Sequence, residues 1–249
     1  RTVRRSADVI GARVAAVFFD VDFTLIYPGP TFQGEGYARF AAQYGMTIDR
    51  ARFGHAVRAA SSILDEAQEH TYDHEIFVRY TRRIVEEMGG TGDRLDDCAR
   101  EIYDEWAGNQ HFFLYDDVDP VLTELAARGL KLGLISNSHR CLSSFQQHFE
   151  LDGLIAAAVS SSEHGYMKPH PSIFQAAMTL AGVTAEESVM VGDSLAHDID
   201  GARRVGRVEA GVACWRDWWG WTRPMRTARC CTGAVGAALG APRTRPSAK

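Results

Sequence analysis

Hydrophobic residues follow two different spacings along the chain, and the change between them divides it into regions. Residues 17–25 contain an apolar run that is typical of a strand buried on both faces of a sheet. From about residue 34 to 108, apolar side chains recur every three to four positions, which predicts four successive amphipathic helices. From Asp119 onward, strand and helix patterns alternate, as in a parallel sheet with right-handed crossovers. The pattern therefore predicts an α/β fold with a parallel sheet and a helical insert.

Turn residues set the expected boundaries of these regions. Residues 27–30 (Tyr-Pro-Gly-Pro) should interrupt regular structure, because proline lacks a backbone donor and glycine admits positive φ. One crossover between parallel strands needs a single helix, whereas residues 31–115 supply four. We therefore interpret residues 31–115 as a separate helical insert rather than as ordinary crossovers packed on the sheet.

The sheet domain should then comprise residues 15–30 and 116–206, after an N-terminal extension at 1–14. Its later strands are expected at 131–137, 155–160 and 188–192, and its helices at 120–129, 143–150, 172–181 and 199–205.

Composition and charge narrow the classes of function. The net charge of −5 and the absence of a long Lys/Arg run give no support to nucleic-acid binding, and no apolar segment approaches the length of a membrane span. Five irregularly spaced cysteines favour reduced thiols and a cytoplasmic location. The Arg-rich start lacks the apolar part of a secretory signal, with a transit peptide as the alternative.

Polar side chains stand where the predicted strands end. Asp20 and Asp22 close the first apolar run, Ser136 closes the second, and Asp193 closes another. Open α/β sheets bind ligands at the carboxyl ends of their strands. Burying a lone carboxylate costs on the order of several kcal/mol, so paired acids here indicate a cation, a proton-transfer task, or both. The alternative is that Asp22 or Thr24 only caps the next element.

Four short motifs occur in one order along the chain, and together they resemble those of the haloacid dehalogenase-like hydrolase superfamily. They are Asp20-x-Asp22-x-Thr24, Ser136-Asn137, Lys168-Pro169, and Gly192-Asp193-Ser194 with Asp198 following. The resemblance covers about residues 15–206 and is greatest to phosphatases with a helical cap between the first two motifs. It implies a Rossmann-like core, and it equates the helical insert with that cap.

The resemblance also implies roles in catalysis. Asp20 matches the nucleophile that forms an aspartyl-phosphate, and Asp22 matches the acid/base that protonates the leaving oxygen and later accepts a proton from water. Ser136, Asn137 and Lys168 would bind the phosphoryl group of a small phosphate ester.

A magnesium site is implied by the same resemblance. Asp193 would bind Mg²⁺ together with Asp20 and the main-chain carbonyl of Asp22. Asp198 would orient a ligand or a water, although it also stands where it could cap a helix. Thr24 would support the first loop. The histidines near these motifs show no zinc spacing and are expected beside the site or exposed: His139, His164, His170 and His197.

One position departs from the family pattern, because Phe23 stands where glycine is commonest. Its ring could narrow the leaving-group pocket or support the cap. The leading hypothesis is a magnesium-dependent phosphatase of a small phosphorylated metabolite. The alternatives are a phosphomutase of the same superfamily and a non-catalytic binding protein with this fold. Dehalogenation is disfavoured, because the superfamily's dehalogenases lack the second acid and need no metal.

Residues 207–249 differ in composition from the rest of the chain. They contain four of the five tryptophans, and their eight Lys/Arg face only two acids. Residues 211–215 are expected to form a brief edge strand. An out-of-frame reading of a GC-rich gene would produce such a composition, so we expect the segment beyond Asp217 to be poorly packed with exposed tryptophans.

Overall fold

The computed structural model describes residues 14–66, 68–206 and 209–212. Its main sheet has five parallel strands, which are β1 (Ala16–Phe19), β4 (Lys131–Ser136), β5 (Ile155–Ser160), β6 (Ser188–Gly192) and β7 (Glu209–Val212). Their order across the sheet is β5-β4-β1-β6-β7. The predicted α/β class with a parallel sheet is confirmed.

Side chains of β1 alternate between two apolar layers, because successive residues of a strand point to opposite faces. Val17 and Phe19 pack in one layer with residues of α5 (Val118–Ala127), among them Leu122. Ala16 and Phe18 pack in the other with residues of α8 (Pro171–Ala181). Both faces of the central strand are covered, which explains its unbroken apolar sequence.

The helical insert contains the four predicted helices. They are α1 (Gly34–Gln43), α2 (Phe53–Ala60), α3 (His74–Glu87) and α4 (Leu95–Glu105). They pack mainly on one another, with α3 between α2 and α4 and with α1 against α4. This packing differs from that of ordinary crossovers, each of which would lie on the sheet.

A short antiparallel ribbon joins the helical insert to the sheet, and the sequence did not predict it. The ribbon pairs β2 (Ile26–Pro28) with β3 (Phe112–Leu114), and Pro28 lies opposite Phe112. Residues 27–30 were expected to break regular structure, and that prediction is wrong for Tyr27 and Pro28. A proline is tolerated here because it ends a strand at the edge of a two-stranded sheet.

Two of the remaining helices lie close to their predicted positions. They are α6 (Leu142–His148) and α9 (Asp200–Arg204), with a π-helical turn at Leu195–Ile199 before α9. The short α7 (Ser161–His164) was not predicted. The predicted edge strand begins earlier than expected, at Glu209, and it pairs with β6. The N-terminal extension up to residue 13 and the tryptophan-rich segment lie outside the described residues. No helix in the described part of the chain is both long and apolar enough to cross a membrane.

Candidate active site

The ends of three neighbouring strands bring the predicted site residues together. Phe19 of β1 lies opposite Leu134 of β4 and Val191 of β6. The next residue, Asp20, donates its backbone N–H to the carbonyl of Val191 at 2.9 Å. Asp20, Ser136 and Gly192 therefore leave the sheet at the same edge.

Asp20 lies at the centre of this edge and is only 6% exposed. Its Oδ1 accepts a hydrogen bond from Lys168 Nζ at 2.5 Å, and its Oδ2 accepts one from Thr24 Oγ1 at 3.1 Å. Burial raises the pKa of Asp20 well above its usual value, and the carboxylates of Asp198 and Asp193 raise it further against the opposing effect of Lys168. Thr24 thus supports the carboxylate directly.

Lys168 is buried, and its ammonium group is shared among several acceptors. Nζ donates to the Ile135 carbonyl at 2.8 Å and lies 2.7 Å from Asp198 Oδ1, besides its bond to Asp20. Burial by itself would lower the pKa of Lys168, but the charges of Asp198 and Asp20 outweigh it and hold that pKa above its usual value. Lys168 is therefore a fixed cation within the acidic site.

Asn137 holds the backbone of Lys168 in place. Its Nδ2 donates to the Lys168 carbonyl at 2.9 Å, and its Oδ1 accepts the Lys168 N–H at 2.7 Å. The sequence placed Asn137 in phosphate binding. In the structure this pair of bonds positions Lys168, and Asn137 also lines the cavity, so its part in phosphate binding stays a prediction.

Three carboxylates converge beside Lys168. Asp20, Asp193 and Asp198 each offer an oxygen within 4.8 Å of the others. Burial raises the pKa of Asp193 to about 7, and the neighbouring Asp198 carboxylate adds to the shift. Oxygen ligands of this kind suit a hard divalent cation. The predicted ligands Asp20 and Asp193 are thus brought together, and Asp198 joins them.

Asp198 occupies the interior of the site. Its Oδ2 accepts the backbone N–H of Ser194 at 2.9 Å, while Ser194 itself caps the following turn by accepting the N–H of His197. A Cβ on Gly192 would lie 2.2 Å from Asp198 Oδ2. Glycine is therefore required at position 192 for the Asp198 carboxylate to approach the strand end.

The Asp22 carboxylate is not one of the three converging carboxylates and is bonded instead to Arg140, a residue that sequence reasoning missed. Its Oδ1 accepts from Arg140 Nη2 at 3.1 Å. The same guanidinium donates to the Trp106 carbonyl at 2.9 Å and to Asn109 Oδ1 at 3.1 Å, both in the helical insert. The Arg140 side chain has no exposed surface. Arginines usually lie at the surface, and no local pattern marks this one as buried.

Ser136, the last residue of β4, lies next to a second serine, Ser138, that also bears on the predicted phosphate binding. Ser136 is fully buried, and its Oγ lies 2.9 Å from Ser138 Oγ. Ser138 and Asn137 line the cavity above the carboxylates, whereas Ser136 does not. The wall of the cavity thus presents Ser138, with Ser136 behind it.

Phe23 adopts the backbone conformation that glycine favours. Its φ is 66°, in the left-handed region where a bulky side chain is a genuine outlier. Its ring lines the cavity, with its centroid 6.2 Å from that of Trp106. The structure therefore gives a physical reason why glycine suits this position.

The four histidines named from the sequence lie outside the carboxylate cluster. His139 and His197 line the cavity, and burial lowers the pKa of His139. His164 and His170 each hydrogen-bond to Ser172 at the start of α8. None of the four belongs to the group of candidate metal ligands found among the described residues.

The fold and the site together define an α/β protein with a carboxylate-rich site at the carboxyl edge of its sheet, facing a helical insert. Residues 14–206 match the model of the haloacid dehalogenase-like hydrolase family, and the chain belongs to that family. The resemblance seen in the four motifs is confirmed.

Similar proteins include named phosphatases. An N-acylneuraminate-9-phosphatase from Mus musculus is 33% identical over 214 residues, which cover 78% of this chain and 80% of the mouse protein. A phosphoserine phosphatase from Thermus thermophilus is 33% identical over 135 residues, which cover 51% of this chain and 51% of that protein. A solved 2-haloacid dehalogenase from Pseudomonas syringae pv. Tomato DC3000 superposes with a TM-score of 0.53 at 26% identity, covering 80% of this chain and 86% of its own.

Proposed function

We propose that the protein is a magnesium-dependent phosphatase that hydrolyses a small phosphorylated metabolite. The observation that carries the proposal is the Asp20 carboxylate, fixed between Lys168 and Thr24 beneath a cavity. A phosphatase needs a positioned nucleophile, positive charge near the phosphoryl oxygens, and a proton donor. The phosphatase activities that name the mouse and Thermus relatives agree with this assignment.

In the proposed first step, an Asp20 oxygen attacks phosphorus while the bond from phosphorus to the substrate oxygen breaks. Asp22 gives its proton to the departing alkoxide, so the alcohol leaves neutral. An aspartyl-phosphate on Asp20 results. In the second step, water attacks phosphorus, its proton passes to Asp22, and Asp20 is released with inorganic phosphate.

Lys168 and Arg140 prepare the two acids for these different tasks. Lys168 Nζ, at 2.5 Å from Asp20 Oδ1, fixes the nucleophile and places positive charge beside the reacting group. Arg140 is buried and donates a charged hydrogen bond to Asp22, which fixes the orientation of the Asp22 carboxyl group. Ser138 lines the cavity, where its hydroxyl can donate to a phosphoryl oxygen.

The residues at the site fit a magnesium ion. Asp20, Asp193 and Asp198 place three carboxylates around one small space that Lys168 alone does not neutralise. Asp20 and Asp193 would hold the ion, and Asp198 would orient its surroundings. When bound, Mg²⁺ would offset the negative charge that builds on the phosphoryl oxygens.

The test is hydrolysis of p-nitrophenyl phosphate and a panel of phosphorylated metabolites, with Mg²⁺ and with chelator. We expect Mg²⁺-dependent phosphate release that Asp20→Asn abolishes. Asp152→Asn, at an exposed position away from the site, is the matched control and should retain activity. Isomerisation of a sugar phosphate without phosphate release would identify a phosphomutase instead. Magnesium binding without turnover of any ester would identify a non-catalytic binding protein.

The partner that we propose is a small phosphate ester rather than a nucleic acid or a membrane. A cytoplasmic location is proposed on the cysteine usage. In the described part of the chain, Cys98 and Cys141 are both free thiols. Fractionation of cells that express the protein would test the location.

A further inference from the structure

The cavity above the carboxylates extends into the helical insert, where its wall is apolar. Its volume is about 570 Å³, within the range of roughly 300–1,000 Å³ that is typical of small-molecule sites. Aromatic and branched aliphatic side chains dominate the part contributed by the insert, among them Phe32, Phe53, Val57, Ile76 and Phe77. This space lies where the leaving alcohol of a phosphate ester would extend.

The wall contributed by the insert carries no charge among the lining residues that the structure describes. Its polar members are Tyr37, Tyr80, Thr81, Tyr103 and His70. Burial raises the pKa of each of the three tyrosines, so their hydroxyls stay neutral. A charged substituent placed against this wall would lose its hydration without gaining a counter-charge.

The charged lining residues lie on the sheet side of the cavity. Besides the acids and Lys168 of the reaction site, they are Asp200 and Arg204, both on α9. Both side chains are exposed, and Asp200 pairs with Arg203 at 3.2 Å, so Arg204 adds positive charge on the sheet side of the cavity and not on the wall formed by the insert. The contrast between the two sides indicates that only the phosphoryl end of the substrate is recognised through charge.

The backbone conformation of Phe23 is a second, independent indication. A bulky residue with φ of 66° carries a conformational cost that glycine would avoid. The ring lies next in sequence to Asp22 and extends the apolar surface formed by Trp106 and Phe32, whose ring centroids are 4.6 Å apart. The strain therefore maintains an aromatic wall directly beside the proposed proton donor.

We propose that the substrate is a phosphate monoester whose alcohol carries an uncharged, mainly apolar body, aromatic or branched aliphatic, larger than three carbons. This inference rests on the proposed phosphatase function and specifies its substrate class. The neutral hydroxyls in the wall can accept or donate hydrogen bonds to hydroxyl groups on that body.

The first test uses primary alcohol esters that differ only in the leaving group. Ethyl, butyl and hexyl phosphate should show kcat/KM rising about threefold per methylene, as expected for apolar burial. The ester 2-phenylethyl phosphate should exceed its para-carboxylate analogue by at least about thirtyfold, because the lining residues described in the insert include no cation to pair with the carboxylate. A flat series, a preference for the carboxylate, or a preference for phosphocholine through cation–π contacts would overturn the proposal.

A pair of variants tests whether the preference for long, uncharged leaving groups arises from the cavity wall. Leu64 lines the cavity, whereas its neighbour Ile63 does not, and both are partly exposed. Leu64→Arg should remove most of the chain-length dependence and reduce the discrimination against the para-carboxylate at least about tenfold. Ile63→Arg is the matched control and should leave both ratios as in the wild type. Equal ratios in all three proteins would contradict the assigned wall.

Failure of this inference can be told apart from failure of the proposed function. Hydrolysis of p-nitrophenyl phosphate and phosphoserine with no rise along the alkyl series would leave the phosphatase intact and refute the substrate class. Calorimetry with ethyl-, butyl- and hexylphosphonate in the presence of Mg²⁺ measures the same preference without turnover. A Kd that falls with chain length supports the apolar site even in an inactive protein, and a constant Kd refutes it.

Discussion

The two sides of the cavity achieve specificity by different physical means. On the sheet side, Lys168 lies within ion-pair distance of both Asp20 and Asp198, and Asp198 also accepts the backbone N–H of Ser194. On the side of the helical insert, the lining residues that the structure describes form an uncharged surface around open space. Charge pairs demand fixed geometry, whereas apolar contact depends chiefly on area and tolerates variation. The chemistry should therefore be sensitive to small changes at the strand ends, and the insert should mainly tune which ester is accepted.

The largest effect is expected at the nucleophile. Asp20→Asn should lower kcat by at least about a thousandfold, because an amide cannot form the aspartyl-phosphate and the residual rate comes only from binding. Single-turnover assays with p-nitrophenyl phosphate measure it. Substantial remaining activity would show that Asp20 is not the nucleophile. It would also contradict the claim that the strand ends carry out the chemistry while the insert selects the ester.

The next effect is expected at Arg140, which links the two sides. Arg140→Met should lower the free energy of unfolding by about 3 kcal/mol, because it removes a buried cation bonded to Asp22, Trp106 and Asn109. The exposed Arg128→Met, which breaks only the surface pair with Glu124, should cost at most about 0.5 kcal/mol. Urea denaturation measures both.

Arg140 should also influence the proton transfer by Asp22. In folded Arg140→Met protein, kcat for an alkyl phosphate should fall about tenfold more than kcat for p-nitrophenyl phosphate, whose leaving group needs little protonation. A merely structural role would lower both rates alike, which would refute the positioning of Asp22 by Arg140.

Magnesium affinity should depend on pH through Asp193. The pKa of Asp193 is raised to about 7 by burial and by Asp198, so below that pH the carboxyl must lose a proton before it can bind the ion. Affinity should therefore rise about tenfold between pH 6 and pH 8. Isothermal titration in buffers of different ionisation enthalpy measures both the affinity and the proton release. Proton-independent binding would remove Asp193 from the ligands.

The smallest effect is expected at Phe23, where strain and apolar contact oppose each other. Phe23→Gly relieves the left-handed conformation but loses the ring beside Trp106, so stability should change by less than about 1 kcal/mol. The gain in kcat/KM per methylene along the alkyl phosphates should fall from about threefold to about twofold. An unchanged gain would remove Phe23 from the substrate wall.

Sequence reasoning succeeded where the signal was local. A charged residue that closes an apolar run marks a strand end, which made Asp20 and Asp193 candidates, and the order of the four motifs then indicated their roles. The four helices of the insert were equally readable, because their apolar spacing is regular. For Asp198 the sequence allowed two roles, orienting a metal ligand or water and capping a helix. Its buried contacts with Lys168 and Ser194 place it within the acidic cluster.

Features that depend on distant contacts were beyond prediction. Arg140 bonds to Asp22 although 118 positions separate them in the sequence, and no local sequence pattern near either residue predicts the pair. The β2–β3 ribbon was missed because its strands have only three residues each and one contains proline. The charge-free wall is a property of side chains from several helices that share a cavity only after folding.

The β2–β3 ribbon places the two ends of the helical insert side by side, with Ile26 opposite Leu114. A segment whose two ends are neighbours can be lengthened, shortened or exchanged without displacing the sheet. The nucleophile, the lysine and the carboxylate cluster all lie outside that segment. Recombination at this single ribbon can therefore exchange the insert and change the substrate while the catalytic residues stay in place. The incoming segment must still provide a backbone carbonyl that accepts a hydrogen bond from Arg140, as Trp106 does here.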